Sequence, residues 1–277
     1  MLKLIFNRRH AVRPWITGLF VATLLGASAI TAGPAAAAAP KPTVVLVHGS
    51  YADASSWQFV VSRLQQRGYP VVAAANPLQG VGIDTAYLKD TLAQIKGPIV
   101  LVGHSYGGFV MTNAATGNPN VKALVYVAAL APAQGKTLQQ LISRKPGSLL
   151  GPDVLDVFPY TGLDGQPVLE ATVKPNAFRP ILAGDLPASV VKIVAASQRP
   201  TALSTLTDPS GPPAWTTIPS WFMVAGSDRA VGAANERYMA RRIHASTVEV
   251  KGASHVVMIS HPGKVVRMIT DAAAGRR

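Results

Sequence analysis

The sequence predicts an α/β fold, a mostly parallel sheet with helices on both faces and a cap inserted at about 134–217. Three observations predict it. Short, nearly all-apolar runs alternate with helical stretches in the order βαβαβαβ, and strands buried on both faces belong to parallel sheets covered by helices. One such strand, Pro98-Ile99-Val100-Leu101-Val102, runs directly into Gly103-His104-Ser105-Tyr106-Gly107-Gly108 and a helix. The alternation lapses between Gln134 and Thr217, then resumes near Ile218.

The elements follow in order. Thr43 to Val47 is a buried strand ending at His48-Gly49-Ser50. Ala54 to Arg67 reads as a helix stopped by Gly68, and Tyr69 to Ala74 as the second strand, broken by Asn76-Pro77. Asp84 to Lys96 places Leu88, Leu92 and Ile95 on one helical face and stops at Gly97-Pro98. After the Ser105 turn, Phe109 to Thr116 is a helix, and Val121 to Ala128 is a strand closed by Pro132. The segment 134–217 is rich in Pro and Gly and shows only short helical pieces, such as Thr137 to Arg144 and Ser189 to Gln198. Too few of its apolar residues are periodic for a core of its own, so it reads as a cap over the strand ends. Trp221 to Ala225, Ala233 to Ile243, Thr247 to Val250 and Val265 to Ala274 then read as strand, helix, strand and helix.

The chain has 277 residues, 48% of them hydrophobic, enough for one α/β domain with a full core. The first 38 residues stand apart from that core. Lys3, Arg8, Arg9 and Arg13 form a basic head, Trp15 to Ile30 carries no charge, and Ala35 to Ala39 are five alanines after Gly33-Pro34. Head, short apolar run and small-residue exit make a secretory signal peptide, with cleavage expected among Ala36 to Ala39. A membrane anchor is the rival reading, but the run is short for a span and ends in Gly, Pro and Ala. The expected location is therefore secreted or cell-envelope, with 39–277 as the mature domain and no stable membrane anchor. The Arg8-Arg9 pair leaves the export route open.

There is no cysteine, so neither a disulfide nor a thiol nucleophile is available. Removing the four leader cations from 26 basic residues leaves 22 against 13 acidic ones. The remaining cations are scattered and no aromatic-interleaved basic stripe suggests nucleic acid. No His, Asp or Glu cluster has metal spacing, and no Gly-rich loop has a phosphate pattern. No cofactor is implied, and the oligomeric state is left open.

Ser105 between two glycines at a strand-to-helix turn is a nucleophile elbow. Serine is a weak nucleophile at neutral pH and needs a base, which in turn needs an orienting acid. In an open parallel sheet such groups collect at the carboxyl ends of the strands. Asp228 follows the first strand after the cap and His255 the last strand, giving the order Ser, Asp, His that accompanies this elbow. His261 is the main rival for the base. His10 is in the leader, His104 flanks Ser105 but turns away across the elbow, His244 is a solvated connection, and His48 braces the first loop. The cap carboxylates Asp153, Asp156, Asp164, Asp185 and Asp208 read as solvated. For a tetrahedral oxyanion, the Tyr106 N–H and the Ser50 N–H are the candidate donors.

These residues together resemble the α/β-hydrolase superfamily, and within it the bacterial esterases related to plant methyl-ester esterases and hydroxynitrile lyases. The resemblance covers about 43 to 270. It rests on Val44-Val45-Leu46-Val47-His48-Gly49 with Ala54-Ser55-Ser56-Trp57, on the Ser105 elbow, on Ala214 to Trp221, on Gly226-Ser227-Asp228-Arg229-Ala230 and on Ala253 to Pro262. It implies the α/β-hydrolase fold with a six-stranded core lacking the first two strands of larger relatives. The lyases of this type have Thr where Gly49 stands and Lys where Val256 stands, so the departures favour ester hydrolysis. The resulting expectation is a secreted serine carboxylesterase acting on a small-molecule ester. Phe178, Leu182 and Trp215 of the cap are candidate pocket residues, with plain cap packing as their alternative. A lyase-like or cofactor-free oxidative enzyme, or a non-catalytic ligand binder, are the competing readings on the same fold.

Overall fold

The computed structural model describes residues 40–162 and 165–277, so the expected leader at 1–38 and the cap's Asp164 lie outside the described residues. The chain runs through β1 (Thr43–Val47), β2 (Val71–Ala74), β3 (Ile99–His104) and β4 (Val121–Val127). The cap adds β5 (Leu155–Thr161), β6 (Pro167–Val173) and the two-residue β7 (Thr201–Ala202) before β8 (Ser220–Ala225) and β9 (Ser246–Val250). The main sheet has six strands in the order β2-β1-β3-β4-β8-β9, and every neighbouring pair is parallel.

Alternate residues of a strand face opposite sides, and both sides are buried here. Val44, Leu46, Val100 and Val102 pack into one apolar cluster with α1 (Gln58–Gln65), while Val45, Val47, Ile99 and Leu101 pack into another with α2 (Val81–Ala93) and α3 (Tyr106–Ala114). The cap contributes α4 (Leu138–Ile142), α5 (Pro175–Leu182), α6 (Ala188–Ala196) and α7 (Ser204–Thr207); α8 (Ala233–Arg242), α9 (Val257–Ser260) and α10 (Pro262–Ala273) complete the chain. The strand order reverses between β1 and β3, where Val47 is opposite Gly103. Loops leaving such a switch point splay apart and open a crevice at the strand ends. This sets the loop after β1 beside the turn that carries Ser105.

Three expectations need correction. The second helix begins at Val81, not Asp84, because the cap's Asp208 carboxylate accepts the Val81 N–H at 3.0 Å and caps it from afar. The third helix begins at Tyr106, not Phe109, since the elbow passes straight into it. The cap is not only short helices: β5, β6 and β7 form an antiparallel three-stranded sheet. β5 contains Pro159 and exposes most of its residues, which removes both a ladder donor and the apolar alternation that marks a strand. Residues 40–277 form one compact unit, and Phe178, Ile181 and Leu186 share a core cluster with Val44 and Leu46.

Candidate active site

The Ser105 turn is held by close backbone packing. Ser105 has φ +52° and ψ −124°, a strained conformation for a residue with a side chain, costing about 1–3 kcal/mol. Its carbonyl accepts the Gly108 N–H at 3.0 Å and the Leu130 N–H at 3.1 Å. A Cβ on Gly107 would meet the Val47 carbonyl and come within 2.7 Å of the His48 carbonyl oxygen, so β1 and α3 pass too closely for any other residue. Below the turn, the Tyr106 hydroxyl donates to Asp84 Oδ2 at 2.8 Å and the Gln79 N–H donates to Oδ1 at 3.0 Å. Burial raises the Asp84 carboxyl above its ordinary range. The Tyr106 N–H lies in the first turn of α3, where helix N–H groups lack an intrahelical carbonyl.

Asp228 and His255 come together from the ends of β8 and β9. Asp228 Oδ1 accepts the backbone N–H groups of Ala230 at 2.6 Å, Val231 at 2.9 Å and Gly232 at 3.3 Å. Its Oδ2 takes His255 Nδ1–H at 2.6 Å. Burial alone would push the Asp228 carboxyl up, but the adjoining His255 and these hydrogen bonds hold it below its ordinary value. The acid is therefore ionised, and it fixes the imidazole with Nδ1 protonated and Nε2 free to act as a base.

Ser105 and His255 line one small chamber with Ser50, Tyr51, Leu130, Leu138, Ile142, Leu150, Leu182, Leu206, Ala230 and Val231. The free interior is about 20 Å³, room for a single water. Its lining contains no cation. Among the described residues no group of His, Asp and Glu could hold a metal ion.

The candidate pocket residues divide. Leu182 and Ser50 line the chamber; Phe178 and Trp215 do not. Phe178 is 2% exposed and packs into the core between cap and sheet. Trp215 donates its Nε1–H to the Pro132 carbonyl at 2.7 Å and lies under the Arg242 guanidinium. His261 is also off the chamber, bonded through Nδ1 to Ser260 Oγ at 2.8 Å. His48 donates Nδ1–H to the Gly49 carbonyl and accepts the Asn76 N–H on Nε2. Its ring ties the first loop to the segment after β2.

His104 does not turn away as expected. Its ring centroid is 4.6 Å from that of His255, and its Nε2–H donates to the His255 carbonyl at 3.0 Å. Burial, with the nearby His255, pushes its pKa down to about 3, so it stays neutral and supports the His255 loop. The sequence reading also misses Glu236. This side chain is fully buried beside Asp228, with Oε2 accepting the Ala225 N–H at 2.9 Å. Helical spacing carries a signal for it, since Glu236 shares the inward face of α8 with Met239 and Ala240.

The sequence matches the alpha/beta hydrolase family over residues 44–268. The chain belongs to that family. It is 28% identical over 258 residues to the alpha/beta hydrolase nvfD of Aspergillus novofumigatus, covering 84% of this chain and 97% of that one. It is 25% identical over 248 residues to a pyrethroid hydrolase of Sphingobium wenxiniae, covering 83% and 87%. Among solved structures, polyneuridine aldehyde esterase superposes with a TM-score of 0.71 at 19% identity, over 83% of this chain and 98% of that one. At that identity the likeness establishes the alpha/beta hydrolase fold.

Proposed function

We propose that this alpha/beta hydrolase is a serine carboxylesterase of small carboxylic esters, exported behind its leader. One observation carries the reading: the 2.6 Å Asp228–His255 pair opens on the chamber that also holds Ser105. Ser105 Oγ attacks the ester carbonyl while His255 Nε2 takes its proton. The Tyr106 and Ser50 N–H groups stabilise the oxyanion. His255 returns the proton to the leaving alcohol, and the acyl group stays on Ser105. Water then attacks the acyl-enzyme with His255 again as base. Asp228 holds the imidazole and stabilises the imidazolium throughout. The pyrethroid hydrolase and the polyneuridine aldehyde esterase compared above are in keeping with an ester substrate.

Cyanide release is a poorer fit to the site. Val256 is 7% exposed and donates its N–H to the Leu182 carbonyl at 3.2 Å, and no cation lines the chamber. A leaving cyanide would meet no lysine or arginine in the lining. A Cβ at position 49 would lie 2.6 Å from Ser105 Cβ, so a threonine there displaces the nucleophile rather than adding a usable hydroxyl.

Single variants test the roles. Ser105→Ala and His255→Ala each lower p-nitrophenyl acetate turnover by roughly 10⁴-fold or more with the fold intact. His261→Ala costs far less. An inactive His261 variant beside an active His255 variant would reassign the base.

A further inference from the structure

We propose that Glu236 is a positioning residue that holds a proton and donates it as a hydrogen bond to the Asp228 carboxylate. The proposal rests on the triad reading above for its kinetic consequence. Glu236 is 0% exposed. Its Oε2 is occupied by the Ala225 N–H at 2.9 Å, while Oε1 is buried with no hydrogen-bond partner among the described residues. A buried carboxyl oxygen beside a carboxylate is satisfied when it carries a proton of its own and gives it to that neighbour. The alternative is two buried anions in contact, with one histidine to share.

The surrounding charges do not offset a second anion. Arg237, next along α8, points outward to Glu249 at 2.6 Å on the surface. His255 reaches this cluster only through Asp228 Oδ2. From β8, Glu236 receives only the Ala225 N–H. In line with this, burial and the adjoining Asp228 raise the Glu236 carboxyl well above the ordinary carboxylate range.

The bond has two effects. It adds a fixed partner to Asp228, whose oxygens already accept three backbone N–H groups and His255, and so restricts rotation of the acid. It also draws on the Asp228 charge, which tempers the basicity of His255 without adding a second negative charge.

Full-chain Glu236→Gln and Glu236→Leu proteins test this, by thermal melting and by p-nitrophenyl acetate kinetics across pH. Gln keeps both the donor and the acceptor. It retains kcat within about threefold of wild type, and the acid limb of the pH–rate profile stays in place. Leu removes the donor, lowers kcat by about tenfold or more with little change in KM, and moves the acid limb to higher pH. The melting comparison has its own sign. A carboxyl protonated when folded and ionised when unfolded loses stability as pH rises above about 4.3. Gln has no such loss, so it melts higher than wild type near pH 8 and not near pH 4. A pH-independent difference in melting, or an acid limb lowered in the Gln variant, means that Glu236 is ionised and overturns the proposal. If Leu fails to fold, the Gln comparison decides alone. If the wild type does not turn over esters, the hydrolase reading fails while the melting arm still reads the Glu236 proton.

Discussion

At the residue scale, His104 sits one position before the proposed nucleophile, 2% exposed, with its ring at right angles to that of Trp57 and tilted against that of His255. Its pKa falls from 6.5 to about 3 because burial excludes the charged form. The unfolded chain binds a proton below about 6.5 that the folded chain refuses. Stability from this group is fully present above that value and is lost as pH falls toward 3, up to about 5 kcal/mol. His48, also depressed by burial, adds to the slope. Urea denaturation from pH 7 to pH 4 is expected to show the midpoint falling, and His104→Gln to flatten the fall. An unchanged slope in His104→Gln would show that the acid sensitivity lies elsewhere. Residue type and strand-end position single out Ser105, Asp228 and His255 in the sequence, because chemistry and topology both constrain them. The supporting shell is harder to read. His104 and Glu236 bond to groups 151 and 11 positions away in the chain; helical spacing marks Glu236 as inward-facing, but neither separation reveals what the side chain meets.

At the element scale, the walls of the chamber decide what can reach Ser105. Leu138 and Ile142 come from α4 and Leu206 from α7, with Leu150 on the connection to β5. These cap side chains set the room beside Ser105, where the free interior is about 20 Å³. Leu150→Ala widens the chamber, and the ratio of kcat/KM for p-nitrophenyl butyrate over acetate is expected to rise by about 10-fold, the worth of a methylene or two in an apolar pocket. A ratio that does not move would place the acyl group elsewhere. The inner strands β1, β3, β4 and β8 are legible because burial on both faces leaves nearly uninterrupted apolar runs, while the edge strands β2 and β9 are less buried and are read from their place in the alternation. The cap sheet is not legible. β5 has the burial pattern of an exposed strand with Pro159 inside it, and its partner β6 opens on Pro167. Its register is set by pairing across the cap rather than by its own sequence.

At the scale of the whole molecule, cap and sheet share one core, so the domain from Pro40 onward is a single body with the site enclosed between them. Without cysteine, that core alone holds it. The proposed export is read by N-terminal sequencing: protein recovered outside the cytoplasm is expected to begin near Ala37 to Pro40, and Met1 on membrane-bound protein would make the leader an anchor. The central claim is that Ser105 becomes acylated by an ester. Brief mixing with p-nitrophenyl acetate, acid quenching and peptide mapping by mass spectrometry tests it most directly. The account predicts a burst of nitrophenol matching the enzyme concentration and an acetyl group on the peptide containing Ser105, both absent in Ser105→Ala. An acetyl group on another residue, or ester turnover that persists in Ser105→Ala, would contradict it.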